Sequence, residues 1–192
     1  ERLETLMEVA KQSLEIKRKV LEAFTDNGLY PYSRRYLRHV KDGYDKYWKN
    51  HFSTIGIVGV NEALINLLGQ NIASKDGQAF AMKMLTFMRD RLADYQEETG
   101  CIYNLEATPA EGTSYRLARI DKKRYRDIIF ANQKQINANH AEPFYTNSSQ
   151  LPVDFSGDLF DALEHQETLQ SLYTGGTVFH IFLGERLQSW KS

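Results

Sequence analysis

The chain has 192 residues, 42% of them hydrophobic and 26% charged, with a formal net charge of −1. That length and balance suit one domain with a buried core, and the near-neutral charge supplies no basic field for nucleic acid or a membrane surface. A single cysteine rules out an internal disulfide framework, no run of about 18 apolar residues offers a membrane span, and no signal-peptide pattern is visible, so a reducing, cytoplasmic setting is expected.

Residues 3–24 carry Leu3, Leu6, Met7, Ala10, Leu14, Val20, Leu21 and Phe24 at helical spacing. This predicts an amphipathic helix with a core-facing stripe, ended by Asp26-Asn27-Gly28. Residues 29–50 are rich in Tyr, Arg and Lys. Such interleaving suits single-stranded nucleic acid, but the balanced charge favours a surface loop whose Tyr rings cover the core and whose Arg heads stay in water. FSTIGIVG, residues 52–59, reads as a short buried strand. Asn61 is expected to cap the next helix, Glu62 to Leu68, and Gly69 to end it. Two readings stand side by side for this βα unit: its strand end faces a ligand, or the unit is plain packing. Helical spacing returns from Gln78 to Glu98 with Phe80, Met84, Phe87, Met88, Leu92 and Tyr95, where Met serves as adaptable core filler. Cys101 has no His or Lys close in sequence to lower its pKa, and reads as a small buried residue.

The stretch Tyr103 to Arg116, YNLEATPAEGTSYR, organises the rest. Tyr103 to Ala107 alternates like a strand, so Asn104 and Glu106 point away from Leu105. Thr108 to Gly112 reads as a turn, with Pro109 fixing one φ and Gly112 free to take φ > 0. Thr113 or Ser114 is expected to cap the following helix. Free amides and the positive end of a helix dipole would meet there as an anion site, with the Glu106 carboxylate near its mouth. A well-capped loop with no ligand is the plainer reading of the same residues.

Asp121 to Arg126 is a charge run at a helix end, and residues 131–143 read as a polar loop. FYTNSSQL, residues 144–151, predicts a short strand whose Asn147, Ser148 and Ser149 bind substrate or satisfy the turn before Pro152. Asp158 to Leu172 predicts a helix. Tyr173 to Thr177, with Gly175 and Gly176, leads into a predicted strand over 177–183. The five histidines show no metal-ligand spacing. The order helix, strand, helix, helix, strand, helix, strand, helix, strand suggests parallel strands covered by helices. Four strands do not close a barrel and look like a sector of one. Glu1 begins within a helical pattern and no closing element follows Trp190, so the sequence is expected to be an excerpt of a longer chain.

NLEATPAEGTSYRLARIDKKRY closely resembles the class III, anaerobic ribonucleotide reductases, which are glycyl-radical enzymes. FSTIGIVGVNEALINLLG, FYTNSSQLPV and LYTGGTVFHIFLGE resemble the same family, in the family's order and over most of the chain. One departure is Arg126, where the family leads one to expect proline. The resemblance implies one partial catalytic domain over residues 1–192, a sector of a ten-stranded α/β barrel. In that family a cysteine on a finger loop becomes a thiyl radical, made by a glycyl radical near the C-terminus. The thiyl takes hydrogen from C3′ of a ribonucleoside triphosphate, water leaves C2′, and formate or a thiol supplies reducing equivalents. A four-cysteine zinc site, ATP or dATP as effectors, a radical-SAM activating enzyme and a homodimer are likewise implied for the parent protein. The finger loop, zinc cysteines and radical glycine do not match any stretch here, so the isolated chain is expected to be inactive.

Residue by residue, the resemblance makes Glu106 a catalytic carboxylate suited to proton transfer at ribose hydroxyls. It assigns Thr108, Ala110, Gly112, Thr113 and Ser114 to substrate phosphates, with Glu111 expected to point away. Asn147, Ser148, Gly175 and Gly176 are further barrel-mouth contacts. The other reading is a stand-alone nucleotide-phosphate-binding module without turnover.

Overall fold

The computed structural model describes residues 1–107 and 109–180. They form helices α1 (Arg2–Asp26), α2 (Pro31–Tyr36), α3 (Arg38–Tyr44), α4 (Val60–Leu68), α5 (Lys75–Thr99), α6 (Glu111–Arg124), α7 (Gln133–Asn139) and α8 (Leu159–Gln170), with strands β1 (Ser53–Gly56) and β2 (Tyr103–Glu106). The strands pair in parallel, Ser53 opposite Tyr103 and Gly56 opposite Glu106. A parallel pair needs a long connection, and α4 and α5 lie within it. The chain divides into two compact units: Glu1–Gly56, Met84–Glu106 and Tyr173–Gly175 form the first, and Ile57–Lys83, Ala107–Leu172 and the chain from Gly176 form the second.

In the first unit the two strands bury one face. Ser53, Ile55, Tyr103 and Leu105 are all buried, while their neighbours Thr54 and Gly56 are exposed and Glu106 is half-buried. Behind the buried face lies a core that includes Leu85, Met88, Leu92 and Tyr95 of α5 and Met7 of α1. The Tyr95 and Tyr103 rings meet edge to face at 5.8 Å between centroids, a favoured aromatic arrangement. The Tyr103 hydroxyl donates to Glu15 at 2.6 Å. Burial and that carboxylate push the Tyr103 phenol well above its usual pKa.

Helix α1 corrects the expected stripe. Met7 is buried and Leu3, Ala10, Leu14 and Leu21 are partly buried, whereas Leu6, Val20 and Phe24 are exposed. The inward positions also hold Glu15, whose carboxylate accepts from the Tyr103 hydroxyl, and Arg18 and Glu22, which bind backbone. The Glu22 carboxylate accepts from the Tyr47 and Trp48 amides at 2.9 and 2.7 Å, and Arg18 donates to the His51 carbonyl and the Ser53 hydroxyl, both at 2.8 Å. Charged groups with fixed partners thus take places that periodicity gave to aliphatics. Residues 29–50 are not a loop, since Pro31 at the first turn starts α2 and Leu37 leads directly into α3. Nor do the rings cover the core. Tyr32, Tyr36 and Tyr44 are exposed, and of the tyrosines in this stretch only Tyr47 is buried.

In the second unit Val60 and Leu64 of α4, Ile72, Ala81 and Leu169 are buried. Ala118, Phe130 and Ile136 cluster with Ile128 and Tyr145. Gly69 ends α4 at φ 70° as expected. Asn61 does not cap it. Gly59 holds the capping position, and the Asn61 side chain accepts from the Ile72 amide at 3.1 Å. Part of the expected polar loop, Gln133–Asn139, is α7, whose inner residue Ile136 supplies a core contact. The predicted helix near residues 158–172 is α8, with Asp158 and Asp161 closing a capping box.

The expected strand over 144–151 is absent. Its backbone groups go elsewhere: the Tyr145 amide to Ser114 Oγ, the Thr146 amide to Glu62, and the Thr146 and Ser148 carbonyls to the Gly59 and Val60 amides at the start of α4. Ser148 sits at φ 45°, which no strand residue adopts. A segment that caps a helix and feeds side chains has no ladder left to give. Of the strand expected over 177–183, a single parallel bridge joins Ala107 to Thr177, and residues 181–183 lie outside the described residues.

Candidate functional site

Parallel register places Thr54 beside Asn104 and Gly56 beside Glu106 on one face of the sheet in the first unit, because paired strand residues share a face. The alternation expected from sequence holds, with Asn104 and Glu106 opposite to Leu105. Glu106 closes β2 and is half-buried. A half-buried carboxylate at a strand end, on the face opposite the core, can reach a ligand and exchange a proton with it.

Gly175 runs alongside β2. Its amide and that of Thr174 donate to the Leu105 carbonyl at 2.8 and 3.1 Å, and the Thr174 hydroxyl accepts from the Leu105 amide at 2.9 Å. A Cβ at Gly175 would stand 2.7 Å from Asn104 Nδ2. A side chain at this position would have to displace the Asn104 amide and crowd the Leu105 carbonyl at 3.1 Å. Gly176, in the second unit, accepts at its carbonyl from the Ala107 amide at 3.0 Å.

The turn and α6 belong to the second unit. Thr108 lies outside the described residues. Ala110 takes the capping position, and neither Thr113 nor Ser114 caps the helix as expected. The positive φ falls on Glu111, at 36°, and not on Gly112. Thr113 turns its amide back to the Ala110 carbonyl at 2.8 Å. The Ala110 amide donates to Asn147 Oδ1 at 3.1 Å. Helix first turns lack intrahelical acceptors for their amides, so the amides of Glu111 and Gly112 are the ones an anion can use.

Ser114 is buried, and its hydroxyl donates to the Tyr145 carbonyl and accepts from the Tyr145 amide. It ties two segments together and is turned away from solvent. Thr113 is exposed. Ser148 is fully buried, with its carbonyl on the Val60 amide. Pro109, Glu111, Ser114, Asn147, Gln150 and His180 are among the residues lining a cavity of about 370 Å³ beside the turn. Glu111 is exposed and lines this cavity. A larger cavity, about 960 Å³, opens between α4 and α6 and holds none of the expected site residues.

Two residues that sequence reasoning left out support this arrangement. Glu62 is 1% exposed. Its carboxylate accepts from the Thr146 hydroxyl at 2.7 Å, the Thr146 amide at 3.0 Å and the Asn61 amide at 3.3 Å. Tyr145 packs over Gly59, where a Cβ would meet its ring at 3.2 Å. Its hydroxyl donates to Asp121 at 2.8 Å, and burial together with Asp121 raises its pKa well above the usual phenol range. An acidic residue inside an apolar helix run, at Glu62, is the signal that sequence offered. Cys101 is buried and lies 3.8 Å from Glu15. Among the described residues no three His, Cys, Asp or Glu side chains converge on a metal position.

The anaerobic ribonucleoside-triphosphate reductase family model matches residues 1–192. The enzyme of that name from Enterobacteria phage T4 is 26% identical over 138 residues, covering 72% of this chain and 20% of the phage protein. The Haemophilus influenzae enzyme is 25% identical over 127 residues, covering 65% of this chain and 17% of that protein. The chain thus spans about a fifth of the length of these curated relatives. Among solved structures, the Thermotoga maritima anaerobic ribonucleotide reductase with glycerol in its active site superposes with a TM-score of 0.64 at 21% identity, over 96% of this chain and 28% of that one. The same enzyme in complex with dATP and CTP gives a TM-score of 0.58 at 20% identity, over 96% of this chain and 30% of that one. The fold is shared with these structures, and the family match runs the full length: the chain belongs to the anaerobic ribonucleoside-triphosphate reductase family.

Proposed function

We propose that this chain is a sector of the catalytic α/β barrel of an anaerobic ribonucleoside-triphosphate reductase, which converts ribonucleoside triphosphates to 2′-deoxyribonucleoside triphosphates for DNA synthesis. One observation carries the reading: the family's most distinctive wording falls on a strand that ends at Glu106 on the sheet face opposite the core, followed by a turn into the N-terminus of α6. Glu106 exchanges a proton with a ribose hydroxyl. The Glu111 and Gly112 amides, with the exposed Thr113 hydroxyl and Ala110 held by Asn147, receive the substrate phosphates. The family resemblance also assigns Thr108, Ser148, Gly175 and Gly176 to substrate, and Ser114 acts by fixing the Tyr145 segment to α6.

The hydrogen-abstracting radical that the family uses is supplied by a cysteine and a glycine outside the stretches matched here. A four-thiolate zinc site does not fit a chain with one cysteine, so zinc, like ATP or dATP effectors, a radical-SAM activase and a homodimer, is assigned to the parent enzyme in the cytoplasm. The Thermotoga structures named for dATP and for CTP support nucleotide binding by such a parent.

The test is anaerobic reduction of CTP by the full-length gene product containing this chain, with its activating enzyme. Wild type forms dCTP. Glu106→Gln loses at least about a hundredfold in turnover and keeps CTP affinity within about threefold. Nucleotide binding without any deoxynucleotide would replace this reading with the binding module, and full activity in Glu106→Gln would remove the carboxylate from the chemistry.

A further inference from the structure

Asn104 stands out on the sheet face that carries Glu106. Its neighbours on that face, Thr54 and Gly56, are exposed, yet Asn104 is only 9% exposed. It lies under the edge of that face because the Thr174–Gly175 backbone runs across β2. Its amide lies against Gly175, where a Cβ would stand 2.7 Å from Nδ2 and push the amide aside. Its Oδ1 accepts no hydrogen bond among the described residues.

Buried side-chain acceptors are nearly always partnered, so an unmet one asks for a reason. Packing alone does not give one, because an apolar side chain of similar size would fill the space without an orphaned oxygen. The opposite face of the same strand shows the contrast. There Tyr103 is equally buried, and its hydroxyl is partnered by Glu15. The orphan is on the face that carries Glu106, two residues before the carboxylate, and so is displayed in the same direction. Its amide can turn to offer either an acceptor or a donor.

We infer that Asn104 is a substrate-positioning residue whose side-chain amide hydrogen-bonds a ribose hydroxyl while Glu106 faces the neighbouring one. The inference rests on the proposed nucleotide reading and adds a residue to it. A vicinal diol is the matching chemistry: two adjacent hydroxyls, each both donor and acceptor, against one amide and one carboxylate on the same strand face. Gly175 has a defined place in this arrangement, as the floor that keeps the amide pointed at the ligand.

The experiment uses the full-length reductase and measures affinity for CTP, 2′-deoxyCTP and 3′-deoxyCTP in wild type, Asn104→Ala and Asn104→Asp. Thermal midpoints are recorded alongside. Asn104→Ala is expected to weaken CTP binding about three- to tenfold, the size of one neutral hydrogen bond. The loss should vanish for whichever analogue lacks the partner hydroxyl and persist for the other. Asn104→Asp, which keeps the acceptor, should recover part of the CTP affinity. An equal loss for all three nucleotides, or no loss for any, overturns the assignment of Asn104 and leaves the functional reading standing. Absence of ribonucleotide affinity in the wild-type enzyme overturns the functional reading and Asn104 with it.

Discussion

Replacing Glu62 with alanine tests whether the second unit is held by a polar network. Glu62 is 1% exposed, and its two carboxylate oxygens hold both the amide and the hydroxyl of Thr146. Alanine removes both acceptors at once. Each buried donor left unmet costs about 1–3 kcal/mol. Two such donors and the vacated volume together give about 3–5 kcal/mol, a large share of the roughly 5–15 kcal/mol a domain has. Glutamine behaves differently. Its oxygen still accepts from the Thr146 amide, the Thr146 hydroxyl can rotate to accept from the new NH₂, and only the longer contact from the Asn61 side-chain amide at 3.3 Å is lost. That variant should lose less than about 1.5 kcal/mol. Urea unfolding of the chain, followed by far-UV circular dichroism, resolves the two. With a slope of about 1–3 kcal/mol per molar, Glu62→Ala should move the midpoint down by at least about 1 M. An alanine variant within about 0.5 kcal/mol of wild type, or a glutamine variant as damaged as alanine, would refute the network as described.

Gly77→Ala should destabilise by about 1–3 kcal/mol or more, because the new Cβ would collide with the Asn71 carbonyl oxygen; an unchanged thermal midpoint would contradict the packing of that turn. Ser114→Ala removes the hydroxyl that both donates to and accepts from Tyr145, and calorimetry should show a loss of about 1–3 kcal/mol. His165 is held neutral by burial, which lowers its pKa, while Nε2–H donates to the Ile72 carbonyl at 2.9 Å and Nδ1 accepts from Gln166 at 3.2 Å. Its folded pKa lies below the unfolded value near 6.5, so its contribution is complete above that pH and is lost as pH falls through the folded pKa. Urea midpoints at pH 7.5 and 5.5 should therefore drop more in wild type than in His165→Gln, and equal drops would exclude His165 as the cause.

Part of this was legible in the chain because it depends on near neighbours. Strand β2 follows from alternation over residues 103–106, α4 ends at Gly69 because only a residue tolerant of φ > 0 stops it cheaply, and the wording from Asn104 to Tyr125 identifies the family. Helix α1 was found from its period, and so were five of its inward positions. What period cannot supply is which of two apolar stripes faces in. Leu6, Val20 and Phe24 are out because Glu15, Arg18 and Glu22 reach partners far along the chain, at residues 47–53 and 101–103.

The site divides in the same way. Glu106 was readable as the carboxylate at a strand end, since side-chain direction in a strand is set by the backbone itself. The turn was readable, but its cap was not: Ser114 has the residue type of a helix cap, and only the approach of Tyr145 gives its hydroxyl another partner. Segment 144–151 has strand-like composition, and it has no strand because Glu62, Ser114 and the start of α4 compete for the same backbone groups. The unmet acceptor of Asn104 became visible only with Gly175 laid across it, 71 positions later in the chain. The sequence by itself determined α1, α4, α5, α6 and α8, strands β1 and β2, the family, and the place of Glu106 at a strand end, all of which rest on local geometry and wording. Only the tertiary structure decided which polar groups are satisfied, because each depends on a partner that chain distance hides.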